Sequence, residues 1–131
     1  MEFDFAPMLL GHLVGDYLLQ SKEMALRKTE RGLEGFAWCF LHSMIYALTV
    51  CVFLWNFDGW VLALVFMTHF PLDRWSLASK WLRLIRGRDF VKAVESKDKF
   101  REVDIAFSCL VYAVADNTMH LVLMYCLLRV I

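Results

Sequence analysis

The sequence predicts an all-α membrane protein, four transmembrane helices packed as a bundle, and three observations carry that expectation. Of its 131 residues, 60% are hydrophobic and 15% aromatic, with a mean hydropathy of +0.50, too apolar for a soluble domain of this size with an ordinary polar surface. The apolar residues fall in four runs separated by charged or turn-forming stretches. Thirteen of the 14 Lys and Arg residues lie in two of those stretches. At this length the chain reads as a single domain, residues 1–131.

The first run, Phe5 to Leu19, is short for a hydrocarbon core of roughly 30 Å, which takes about 20 helical residues, and is expected to cross with help from Gln20 to Ala25. The preceding MEFDFAP is acidic and lacks a basic n-region, so the run is read as retained rather than cleaved as a signal peptide. The second run, Phe36 to Phe57, and the fourth, Ile105 to Ile131, are comfortable spans. The third, Trp60 to Leu84, contains Pro71, which removes a backbone hydrogen bond and is expected to kink the helix beside His69 and Asp73.

Between the runs lie a charged loop from Ser21 to Gly35, a short turn from Asn56 to Gly59, and a long basic stretch from Arg74 to Asp104. Four spans put the first and last of these on one side. The excess of Lys and Arg there predicts that residues 21–35 and 74–104 are cytoplasmic and that both termini are outside. Trp75, Trp81, Leu82 and Ile85 alternate with Lys80, Arg83 and Arg86, as expected of a helix running into the headgroup region. Arg83, Arg86 and Arg88 are the candidates for an anionic headgroup or substrate, against the plainer reading of a solvated topological anchor. The 14 basic and 14 acidic residues balance, so the total carries no nucleic-acid footprint. Cys39, Cys51, Cys109 and Cys126 sit in apolar runs without CxxC spacing and are expected to be reduced packing residues.

The ionisable residues inside the apolar runs are the candidates for chemistry. His12 and Asp16, His69 and Asp73, and Asp116 and His120 are each four residues apart, so each pair shares a helix face. The order is His then Asp in the first and third spans and Asp then His in the fourth, which runs the other way. That reversal is what a common layer requires, and His42 falls near its cytoplasmic edge. An aspartate at the centre of a spanning helix costs about 2.5 to 3.5 kcal/mol on insertion scales, so three of them demand partners. One pair alone would read as a structural tie between helices. Three pairs and a further histidine read as a shared site. Imidazole and carboxylate groups converging from several helices are the ligand set of zinc, manganese or iron. The expected ligands are His12, Asp16, His42, His69, Asp73, Asp116 and His120, with His12, Asp16, His69 and Asp73 as the inner set. Asp16, Asp73 and Asp116 are the catalytic candidates, an unliganded aspartate serving as general base toward a metal-activated water.

The blocks GHLVGDYLLQ, LHSMIY, THFPLDRW and ADNTMH together resemble the multi-pass membrane family DUF3307, and the resemblance spans nearly the whole chain. It implies a bacterial or phage inner-membrane protein whose His/Asp pattern is similar to that of membrane-bound metal-dependent hydrolases. A glutamine commonly follows the late aspartate in that family, where this chain has Asn117. The leading expectation is a metal-dependent hydrolase acting on a lipid-like or phosphoester substrate. The alternatives are a proton- or ion-coupled transporter or channel component, and a non-enzymatic membrane effector that binds a host membrane protein. Expected partners are membrane lipids, a lipid-like substrate or a membrane protein, without nucleic acid; the oligomeric state stays open.

Overall fold

The computed structural model describes residues 5–129. The start of the acidic N-terminal segment and the last two residues of the fourth expected span lie outside the described residues. Among those described, the chain forms helices and turns without a strand. The order is α1 (Phe5–Leu13), a π-helical segment (Val14–Leu18), α2 (Lys22–Arg27), α3 (Leu33–Phe53), α4 (Gly59–Arg74), α5 (Leu77–Arg86), α6 (Phe90–Glu95) and α7 (Arg101–Leu128). The predicted all-α class holds.

The core is built where α1, α3, α4 and α7 meet, around Met8, Tyr46, Ala47, Val50, Cys51, Val61, Val65 and Met124. Two glycines one turn apart set how closely α1 approaches α3. A Cβ at Gly11 would lie 2.9 Å from Val50 Cα, and one at Gly15 would lie 2.8 Å from Tyr46 Cδ2. This is small-xxx-small packing, in which missing side chains let two backbones come together. It brings His12 and Asp16, each next to one of the glycines, against the polar face of α3.

Two of the four expected spans, α3 and α7, are long and apolar enough to cross a membrane by length and composition. The other two are not. The first ends in the π-helical segment, where Leu19 N–H reaches back to Val14 O at 3.0 Å. The third is two helices rather than one long helix kinked at Pro71. Pro71 sits inside α4 without ending it, and the break comes at Trp75 and Ser76. Ser76 N–H bonds Asp73 O at 3.1 Å, a tightened last turn, and Ser76 takes the left-handed conformation at φ +47°, which no α-helix continues through.

The short helices are fixed by their ends. Ser21 accepts from Met24 N–H at the start of α2, Asp58 from Trp60 N–H at α4, and Asp89 from Val91 N–H at α6, each side-chain oxygen satisfying a helix-start donor. Gly87, at φ +63°, closes α5, the usual role of a residue without Cβ. Arg27 bonds Glu23 and Glu34 and so ties α2 to the start of α3. Those carboxylates, Glu34 foremost, hold its guanidinium pKa above the ordinary range. Both α5 and α6 pack on α7.

Candidate metal centre

The four histidines, at most 2% exposed, come from α1, α3, α4 and α7. His42 and His69 point their Nε2 atoms at each other across 3.0 Å. Asp73 Oδ2 stands 3.1 Å from the first and 3.2 Å from the second. Asp16 Oδ1 stands 3.3 Å and 3.6 Å from the same two atoms. His120 Nε2 lies 3.4 Å from Asp73 Oδ1 and 3.8 Å from Asp116 Oδ2. Asp73 thus turns one oxygen to the His42 and His69 pair and the other toward His120. Two sets of three ligand atoms lie within 4.8 Å of one another, Asp16 with His42 and His69, and His69 with Asp73 and His120.

These contacts cannot all be hydrogen bonds. A neutral imidazole nitrogen carries either one proton or one lone pair, yet His42 Nε2 faces three partners and His69 Nε2 faces the same three types. A cation can satisfy them together. Ligands held about 2.0 to 2.1 Å from a tetrahedral ion lie about 3.3 Å from one another, and the five separations just given for His42, His69, Asp73 and Asp16 run from 3.0 to 3.6 Å.

The charge count agrees. Asp16, Asp73 and Asp116 bring three carboxylates, and Lys28, at the end of α2, brings one ammonium, its Nζ 2.6 Å from Asp73 Oδ2. With neutral imidazoles two negative charges stay uncompensated, the charge of one divalent ion. The donor set, three imidazoles with carboxylates, suits zinc, manganese or iron.

Aromatic stacking and hydrogen bonds hold the ligands. Tyr46, one turn beyond His42, stacks on His69 with ring centroids 3.7 Å apart and planes inclined by 18°. Among the described residues neither His42 Nδ1 nor His69 Nδ1 has a hydrogen-bond partner, and the contact that orients the His69 ring on its face is this stack. His12 has both nitrogens engaged. Asn117 donates its amide to Ala113 O at 2.6 Å and to Tyr17 OH. That leaves Asn117 Oδ1 to accept from His12 Nε2–H at 2.7 Å. The tautomer follows, and His12 Nδ1 accepts from Tyr46 O–H at 2.8 Å. His12 therefore binds Tyr46 and Asn117, while its Nδ1 stays 3.5 Å from Asp16 Oδ2.

The family described as Protein of unknown function (DUF3307) matches residues 5–131, nearly the whole chain. The chain belongs to the DUF3307 family. No curated protein and no solved structure matches it. In this DUF3307 protein, each of the four blocks named above delivers part of the centre. The first gives His12 and Asp16, the second His42 and Tyr46, the third His69 and Asp73, and the last Asp116, Asn117 and His120.

The seven expected ligands thus share one region, with His42 beside His69 and with His12 bonded to Tyr46 and Asn117. Sequence reasoning passed over Tyr46 and Lys28 and noted Asn117 only as a departure from the family pattern. Tyr46 had a signal, the four-residue spacing from His42. Lys28 had none, being one of several cations in a charged loop. Arg83 and Arg88 line a cavity beside this region, and Arg86 is absent from its walls.

Proposed function

We propose that this chain is an integral membrane protein of the bacterial inner membrane whose buried His/Asp centre binds a divalent metal and hydrolyses a phosphoester-type bond in a lipid-like substrate. The carrying observation is the pair of imidazole nitrogens 3.0 Å apart, flanked by Asp73 Oδ2 and Asp16 Oδ1, a contact set that one proton cannot satisfy.

On this reading Asp16, His42, His69 and Asp73 would hold the ion, with His120 toward the second oxygen of Asp73. A divalent cation bound there would supply Lewis acidity and lower the pKa of water. Asp116 is the carboxylate outside both ligand sets and would be the chain's own general base at the site. His12 is a positioning residue, holding Tyr46 against His69.

The membrane assignment is supported by an inverted pattern of exposure. Leu10, Phe40, Leu48, Met67, Leu110 and Val114 are among many large apolar side chains left on the outside of the helices, while histidines and a carboxylate are buried within. An exposed apolar surface of that extent marks contact with lipid or protein.

Elemental analysis of protein purified in mild detergent tests the centre. The expected result is about one equivalent of zinc, manganese or iron, lost in His42→Ala and His69→Ala and kept in His12→Ala. Wild-type protein that holds no metal after reconstitution with each of the three ions would sink the reading.

A further inference from the structure

The two basic loops, far apart in sequence, meet around one space. A cavity of about 900 Å³ is lined by Arg31 from the first loop and by Arg74, Lys80, Arg83 and Arg88 from the second, with Asp89 the one carboxylate among the described residues of its wall. Asp89 caps α6, its Oδ1 accepting from Val91 N–H and Lys92 N–H, and one carboxylate does not balance five cations. Among the described residues, Arg31, Lys80 and Arg83 pair with no carboxylate. Arg74 donates to Lys28 O at 3.4 Å, and Arg88 lies 3.7 Å from Asp104 Oδ1. A solvated topological anchor would not need five cations turned to one space. Arg31, Lys80 and Arg83 bring uncompensated positive charge to one cavity, which an anion seated there would offset.

The remaining wall decides what kind of anion. Beside the hydroxyls of Thr29, Ser76, Ser79 and Ser108, which suit phosphoryl oxygens, it holds Trp75, Leu82, Phe90, Val91 and Tyr112, apolar or aromatic surface that inorganic phosphate alone would leave uncovered. The volume lies in the roughly 300 to 1,000 Å³ range of sites that enclose a whole small molecule. The cavity also borders the metal centre, since Arg74 follows Asp73 and Tyr112 lies one turn before Asp116 on α7.

We propose that this cavity seats the phosphoryl headgroup of an anionic amphiphile, with Arg31, Lys80 and Arg83 on its oxygens and Trp75 and Phe90 against the adjoining carbon chain. That the seated molecule is also the hydrolysed substrate rests on the reading given above for the metal centre; the seating itself does not.

The test is equilibrium binding of a fluorescent short-chain phosphatidic acid to the full chain in neutral detergent with chelator present, so that metal plays no part. Lys80→Gln with Arg83→Gln is expected to weaken binding about tenfold or more. Lys97→Gln with Lys99→Gln removes the same charge outside the cavity and should stay within about twofold. Lys80→Arg with Arg83→Lys, which preserves charge, should restore binding if the neutral pair fails only by its charge. If excess inorganic phosphate fails to displace the lipid, the esterified amphiphile is the ligand; if phosphate displaces it at comparable concentration, the same phosphoryl chemistry comes from free phosphate. Absence of wild-type binding, equal losses in the two neutralised pairs, or wild-type affinity in Lys80→Gln with Arg83→Gln would overturn the proposal. A failed metal analysis leaves it standing, and its own failure leaves the metal reading standing.

Discussion

Asn117 shows how one amide can govern a centre it does not enter. With its nitrogen committed to Ala113 O and Tyr17 OH and its oxygen to His12, it dictates which nitrogen of His12 carries the proton, and so which group receives the Tyr46 hydroxyl. Asn117→Ala leaves a buried imidazole N–H unpaired, and the expected cost is about 1 to 3 kcal/mol, measured by thermal or denaturant unfolding in detergent. Lys28 makes a second prediction. Its ammonium lies on Asp73, and the two side chains are 14% and 2% exposed, so Lys28→Met leaves a buried carboxylate without its counter-ion. In chelator the loss should be about 3 kcal/mol, partly recovered when metal is restored; equal losses with and without metal would detach Lys28 from the centre. Three of the four histidines and their aspartates were legible because spacing of four residues marks a helix face, and His42 because it lies within an apolar run. Their division of labour was not. Spacing within one helix says nothing about which residue of a neighbouring helix stands opposite, so it could not distinguish His42, facing His69, from His12, tied to Tyr46 and Asn117.

At the scale of elements, apolar runs revealed where helices lie but not where they break. The third run shows why. Neither Trp75, between Arg74 and Ser76, nor Ser76 is a helix breaker by composition; the left-handed turn at Ser76 accompanies the packing of α5 on α7, which sequence pattern does not reveal. The π-helical segment is equally silent, since any apolar stretch can take one extra residue into a turn, and such segments recur at functional sites. Here it contains Asp16. The glycine pair went unread, although two glycines four apart in GHLVG are the signal of close helix packing. Gly11→Leu must push a side chain into the space of Val50 Cα, 2.9 Å from the Cβ position. The expected destabilisation is at least about 1 to 3 kcal/mol, followed by the helical circular-dichroism melt. Ser76→Gly should be neutral or stabilising by up to about 1 kcal/mol in the same melt, because it relieves the left-handed Cβ contact.

For the whole molecule, the testable claim is which end faces the cytoplasm. Residues of both basic loops line one cavity, so they belong to one end. On the proposed membrane reading, the excess of Lys and Arg predicts that this end is cytoplasmic. Cys109 and Cys126 are free and exposed, so labelling needs a background in which both are replaced. There, an impermeant thiol reagent added outside should modify Gly59→Cys and spare Gly87→Cys; modification of Gly87→Cys would reverse the orientation. The unequal helices also bear on the bilayer itself. At 1.5 Å per residue, the 21 residues of α3 and the 28 of α7 extend about 32 and 42 Å, whereas the 16 of α4 extend only about 24 Å, and α1 is shorter still. Seated in a hydrocarbon layer of roughly 30 Å, a protein of such unequal helices would have lipid compress beside each short one. The short helices α1 and α4 pack on α3 and α7 and, among the described residues, not on each other, and with the π-helical segment after α1 they carry His12, Asp16, His69 and Asp73. Hydrophobic mismatch would then dimple the membrane toward these groups, letting water and headgroups approach a site that a flat bilayer of full thickness would seal.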